Sequence, residues 1–203
     1  MHRAMFPKSW ALLLLLLVPF LLGKGEFPMG TAVTLFSLPG AAQEVDPRLL
    51  GRWRGAPNGK WAPPTLELRR SPTLLDRYDV EMPWYFGRPV EGRVVRLNSV
   101  DMDVLECSVR VRSEDTGLLV AARHHFGIRI EGQRLMLSLL SVQLGHMALS
   151  GTLGRGPPVR GLDTTLASPV AVVVTTEFAL ADQLVLAAKR VPSYWVMSFE
   201  REP

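Results

Sequence analysis

Two adjacent histidines, His124 and His125 in the run ARHHFG, have the side chains best suited to proton or metal chemistry in this chain. Imidazole titrates near neutral pH and ligates metals through either ring nitrogen. Neighbours in an extended strand point to opposite faces, however, so the pair does not share one metal ion. His146 is the other histidine of the region past residue 45, and no Asp, Glu or Cys stands at a spacing that completes a zinc set with any of the three. The expectation is one histidine packed inside and one in solvent, with a pocket-facing histidine that hydrogen-bonds a ligand as the alternative. No metal and no cofactor are expected.

Aromatic residues offer the second candidate. Trp84, Tyr85 and Phe86 are consecutive in VEMPWYFGRP and lie between Pro83 and Gly87. If this stretch is extended, at least one ring faces away from the core, where it can grip a ligand, a partner or a membrane surface. The competing reading folds the group over the mouth of the domain. Trp61, in NGKWAPP, has the same ambiguity. The candidate ligand-binding set is therefore Tyr78, Met82, Trp84, Tyr85, Phe86, His124 and His125.

Signatures of catalysis are missing. Ser138 and Ser150-Gly151 lack the strand-turn-helix setting of a nucleophile elbow, and GTLGRG is not followed by a helix that would make it a phosphate loop. Glu67, Asp79, Glu81, Asp101, Asp103 and Glu106 alternate with apolar residues, which is the pattern of solvated strand faces. No enzymatic activity is expected, and no catalytic residue is assigned. The single cysteine, Cys107, excludes an internal disulfide, and alternation places it on one face with Leu105, Val109 and Val111.

These side chains need strands to position them. TLELR (65–69), YDVEM (78–82), GRVVRLNSV, DVLECSVRVR and LLVAARHHFGIRI read as successive strands. RLMLSLLSVQL runs back after the Glu131-Gly132-Gln133 turn. Asn98-Ser99, Glu114 to Gly117 and Ala181-Asp182-Gln183 read as further turns, and the two prolines of GRGPPVRG (154–161) mark a longer loop. PVAVVVTTEFAL reads as a buried strand and YWVMSFERE (194–202) as the closing one. No helix longer than the single turn TLLDRY is expected past residue 45. About eight to ten short antiparallel strands imply an all-β barrel or sandwich.

Ahead of the strands, Arg3 and Lys8 precede the uncharged run WALLLLLLVPFLLG at residues 10–23. As a helix it spans roughly 21 Å, short of the ~30 Å hydrocarbon core of a bilayer. That length suits the apolar region of an export signal, either cleaved or kept as an inner-membrane anchor. No cysteine follows it, so lipidation of the bacterial lipoprotein type is not expected. The expected organisation is a signal or anchor over 1–25, a linker over 26–45 and one domain over 46–203. The net charge of +4 owes much to the first part: without Arg3, Lys8, Lys24 and Glu26, 20 basic residues face 18 acidic ones. A nearly neutral domain with no basic stripe is not expected to bind nucleic acid. Leucine, arginine and proline usage suits a GC-rich bacterium, so the periplasm or secretion is the expected destination.

The segment LLGRWRG, led in by Asp46-Pro47, resembles the entry to the first strand of lipocalin-like (calycin) β-barrels. In that family a Leu-x-Gly-x-Trp run carries a Trp that plugs the closed end, and a basic residue of the last strand packs over it. The resemblance gives Gly51, Trp53 and Arg201 those structural roles here. It implies a calycin-like barrel holding a small apolar or amphipathic ligand among side chains such as Tyr78, Val80, Met82, Leu105, Val109, Ile128, Leu137 and Phe199. Such a carrier needs a cavity of a few hundred cubic ångströms opening near residues 83–88. The alternative is a structural or assembly protein of the cell envelope that works through a protein interface, with a core filled by side chains. The chain has no Thr-Asp-Tyr segment and no disulfide of the animal secreted kind.

Overall fold

The computed structural model describes residues 31–40, 42–56, 63–153, 159–166, 168–173 and 176–203. The apolar run 10–23, Trp61 and most of the Pro-rich loop lie outside them. Among these residues eleven strands are present: β1 (Ala32–Thr34), β2 (Gly51–Gly55), β3 (Thr65–Arg70), β4 (Tyr78–Glu81), β5 (Val90–Leu97), β6 (Met102–Ser113), β7 (Leu119–Glu131), β8 (Arg134–Ser138), β9 (Val159–Asp163), β10 (Ser168–Val173) and β11 (Val196–Arg201). Among the described residues the α-helices α1 (Leu140–Leu149) and α2 (Glu177–Arg190) interrupt the second half.

The strands close into a ring. β2 to β8 follow one another as antiparallel neighbours, and β11 pairs with both β8 and β2. The β6–β7 hairpin is long enough to serve a second, smaller circuit. Past Cys107 the partner of β6 changes from β5 to β9, and β9, β10 and β1 bridge back to β7. Within this sheet β1 and β10 run parallel.

Alternation sorts side chains into two layers. Leu66, Leu68, Tyr78, Val80, Leu105, Cys107, Val109, Phe126, Ile128, Leu137 and Phe199 face inward and form one buried cluster with Trp53. Gly92 is required in this packing, since a Cβ there would lie 2.6 Å from Val80 Cγ2 and 3.0 Å from Leu105 Cδ1. A second cluster lies on the outside of the ring, where Ala32, Val95, Leu97, Val104, Ala171 and Val173 meet Leu140, Leu144 and Ala148 of α1 and Leu180 and Leu184 of α2.

The helices correct the all-β expectation: the fold is mostly β. RLMLSLLSVQL leaves the sheet at Ser138 and turns into α1 because Leu140, Leu144 and Ala148, four residues apart, then share the face that covers the outer cluster. Ala181-Asp182-Gln183 is no turn but the second turn of α2. Thr176 caps that helix by accepting the Ala179 N–H at 3.3 Å, and Leu180, Leu184 and Ala187 form its buried stripe. Part of the expected linker is also sheet: Ala32, Val33 and Thr34 are fully buried as β1.

Candidate functional site

The two histidines occupy opposite faces of β7, as strand geometry requires, but neither reaches solvent: both are 0% exposed. The expectation of one solvated histidine is thereby corrected. The sheet has cover on both sides here, the inner cluster on one and α1 with residues 35–40 on the other.

His124 faces inward and both its ring nitrogens are engaged. Nε2 lies 2.7 Å from Asp163 Oδ2, and Nδ1 lies 3.2 Å from the Tyr85 hydroxyl. The pattern closes when Nε2–H donates to the carboxylate and Nδ1 accepts from Tyr85. Asp163, at the end of β9 and fully buried, also accepts the Thr165 N–H at 2.7 Å and the Leu166 N–H at 3.3 Å through Oδ1. Burial, with the Asp163 charge adding to it, raises the Tyr85 phenol well above its ordinary value, so it remains a donor. The arrangement fixes three segments relative to one another: the β4–β5 connection, β7 and the β9–β10 turn. Both imidazole nitrogens are thus taken up by protein partners at full burial.

Outside the ring, His125 shares a pocket with Glu106, which is 2% exposed. Burial alone would raise the Glu106 carboxyl. Contact with His125, the Arg93 guanidinium at 2.8 Å and the Leu38 N–H at 2.7 Å outweigh it and hold the group down at about 2. Arg93 Nη2 also donates to Leu38 O at 2.8 Å, and Arg123 Nε stands 3.7 Å from Glu106 Oε1. Glu106 was expected on a solvated face. The 35–40 segment crosses that face and removes it from water, which the local alternation does not reveal. His125 Nε2 lies 3.4 Å from Glu106 Oε2 without hydrogen-bond alignment, and its backbone N–H donates to Ser141 Oγ at 2.8 Å. Burial pushes the His125 imidazole below its ordinary value, with Glu106 opposing, so it stays neutral at pH 7.

The aromatic run is folded in. Residues 83–85 form a turn whose Tyr85 and Phe86 N–H groups donate to Met82 O at 2.9 and 2.6 Å. The extended conformation that would have turned one ring outward is absent. Met82, Tyr85 and Phe86 are buried, and Tyr85 stands edge-on to Phe86 and Phe126 at 4.9 and 5.0 Å between centroids. Trp84 is half-buried, donates to Thr65 O at 2.8 Å and stacks near Phe199. Tyr78, also fully buried, donates no ring to a pocket; its hydroxyl accepts the Asp46 N–H at 2.8 Å. Of the seven candidate ligand residues, Tyr85, Phe86 and His124 come together, Tyr78, Met82 and Trp84 join the inner packing, and His125 lies across the sheet.

At the other end, Trp53 is 2% exposed and donates to Leu49 O at 2.9 Å. Arg201, its direct cross-strand partner, places its guanidinium 4.7 Å from the indole centroid and donates to Arg48 O. Gly51 begins β2 at φ 119°, a left-handed conformation that favours glycine.

Surface clefts are lined by the described residues at two places on the outer wall. One of about 760 Å³ lies on the outer wall beside the Trp53 end, lined by Arg96, Met102, Arg129, Met136, Ser138 and Lys189 among others. The other, of about 510 Å³, lies where β5 and β9 part along β6, between Arg88, Ser108, Arg110, Arg123 and Thr165. The first lies away from residues 83–88, where the mouth was expected, and the second reaches Arg88 on the outer wall. Among the described residues no group of three or more His, Cys, Asp or Glu side chains is placed to hold a metal ion, and no helix is long and apolar enough to cross a membrane.

Sequence reasoning missed Asp163, Arg93, Arg88 and Arg110. Asp163 alone had a local signal: Asp followed by Thr-Thr is the composition of a turn in which the carboxylate caps the N–H two residues on. No protein-family model, no curated protein and no solved structure matches the chain.

Proposed function

We propose that this chain is a non-catalytic, calycin-like β-barrel protein of the bacterial envelope that acts by binding a partner through its outer surface. One observation carries this reading: the ring interior is occupied by side chains from Trp53 and Tyr78 at one end to Met82, Tyr85 and Phe86 at the other. A lipophile carrier keeps an open cavity there. The antiparallel circuit of β2 to β8 closed by β11 and the Trp53–Arg201 stack support the calycin likeness. The export-signal pattern of residues 1–25 supports the destination. Leu118, Leu119 and Leu162, around the far end of the β6–β7 hairpin, are exposed apolar side chains among the described residues.

Native mass spectrometry of the protein purified from its own cells tests this reading. The expected spectrum shows the bare polypeptide mass. A stoichiometric apolar adduct that survives purification overturns the reading in favour of a small-ligand carrier. That second reading has one observation of its own: the Met82–Pro89 stretch is a connection between strands, held by turn hydrogen bonds and side-chain contacts, and its withdrawal would uncover the interior.

A further inference from the structure

The cleft between β5 and β9 gathers three arginines into one groove. β5 pairs with β6 as far as Gly92 opposite Cys107, and β9 takes over at Asp163 opposite Val111. Between these limits Ser108 and Val109 have no strand beside them on that edge, and the gap is the floor of the groove. Three guanidinium-bearing residues line it: Arg88 from the β4–β5 connection, Arg110 from β6 and Arg123 from β7. Among the described residues, Arg123 alone of the three faces a carboxylate, Glu106 at 3.7 Å. The one acidic residue of the lining, Glu91, stands 3.7 Å from Arg77 Nε. Elsewhere several exposed arginines are paired, Arg48 with Asp46, Arg69 with Glu67, Arg96 with Asp103 and Arg129 with Glu131, while among the described residues Arg70, Arg112 and Arg190 stand singly and line no common groove with one another.

Both buried networks act on this groove. Asp163 holds the Thr165 N–H, and Thr165 is part of the lining. Tyr85, through His124, fixes the connection that carries Arg88 three residues on, and Gly87 packs close to Thr165 O, which a Cβ would approach to 3.4 Å. On the other face Glu106 restrains Arg123. The two lips and one wall are therefore held by buried hydrogen bonds and the Glu106 contact, while among the described residues Arg88 and Arg110 face no carboxylate. Guanidinium groups are matched to oxyanions, and a carboxylate is satisfied by one fork, whereas a phosphate has oxygens enough for several.

We propose that this groove is a phosphate-binding site in which Arg88, Arg110 and Arg123 hold the anion and the Ser108 and Thr165 hydroxyls lie at its edge. The site stands on the outer wall and does not depend on whether the interior is filled, so its fate is separate from that of the assembly reading.

The test uses the folded chain in two arms. In the first, inorganic phosphate is titrated and followed by amide chemical shifts. Shifts centred on Ser108, Arg110 and Thr165 are expected, with binding weakened at least tenfold in the double variant Arg88→Ala, Arg110→Ala, whose residues are exposed and outside the packed core. In the second, the protein is floated with phosphatidylglycerol vesicles and with phosphatidylcholine vesicles. Flotation specific to phosphatidylglycerol and lost in the double variant identifies a lipid headgroup as the phosphate source. A response in the first arm alone identifies a soluble phosphate compound. No response in either arm, or responses equal in the wild-type and double-variant proteins, overturns the proposal. Loss of native amide dispersion in the variant is met with Arg88→Lys, Arg110→Lys, which keeps the charge, removes the fork geometry and is expected to retain part of the binding.

Discussion

The inner and outer faces of the β6–β7 hairpin start from the same chemistry, a buried histidine beside a buried carboxylate, and arrive at different interactions. Inside, Asp163 reaches His124 at 2.7 Å, and its remaining acceptor is taken by two turn amides, with Tyr85 completing the other side of the ring. Outside, Glu106 is claimed first by Arg93 and by the Leu38 N–H, and His125 is left at 3.4 Å without an aligned hydrogen bond. The inner network is closed on itself and ties connections together. The outer one is an ion pair that straps a chain segment to the wall. Adjacent residues in one strand thus serve different ends, because a sheet separates their side chains by its full thickness and each meets only what packs on its own side.

The largest break in this comparison is expected from Asp163→Ala, which leaves His124 and two turn N–H groups buried without their acceptor. A loss of ~3–5 kcal/mol in unfolding free energy, measured by chemical denaturation at pH 7, is expected, with Asp163→Asn losing less.

The outer face is read by its pH dependence. The Glu106 carboxyl titrates at about 2 in the fold against 4.5 as a free side chain. Between those values the unfolded chain holds the extra proton, so the stabilisation is complete above pH 4.5 and is lost as pH falls toward 2. At roughly 1.4 kcal/mol for each pH unit of displacement, about 3 kcal/mol rides on this group. Glu106→Gln is expected to remove that acid limb from a plot of stability against pH. His125, held below its ordinary 6.5 by burial, begins to weaken the fold earlier, as pH falls through 6.5 and the unfolded chain takes the proton first. His125→Gln is expected to flatten that upper portion and also to shrink the acid limb, since contact with His125 helps hold the Glu106 carboxyl down, and a profile unchanged in either variant contradicts the assignment.

A smaller effect is expected from Tyr85→Phe, which keeps the ring packing and removes one hydrogen bond to the inner histidine. A loss of about 1–2 kcal/mol in thermal or chemical unfolding is expected. Arg201→Ala, remote from both faces, is the control. Losing a guanidinium over the Trp53 indole is expected to reduce stability by about 1 kcal/mol and leave the shape of the pH profile intact.

Much of this arrangement was legible in the residues, and the failures have specific causes. The strand runs of β3 to β7, the inward set from Tyr78 to Phe199 and the opposite facing of the two histidines follow from an alternation that each stretch carries by itself. The helices were readable in part, since Thr176 and the Leu180, Leu184, Ala187 spacing give a start and a stripe, but the β-branched run before them outweighed that signal. Burial of Glu106 and of the aromatic turn was not readable. A carboxylate alternating with apolar residues looks the same whether water or another segment lies over it.

Periodicity and side-chain type therefore determined, by themselves, which residues face the same way and which stretches extend. Only the closure of the sheet decided what each face meets. Asp163 lies 39 residues from His124 along the chain and beside it across the ring. The β9–β10 hairpin comes to lie there because β6 and β7 outrun β5 and β8 and leave edges that need partners. Pairing over such separations is selected by the hydrogen bonds and apolar area of the whole ring, quantities that no local window of residues contains.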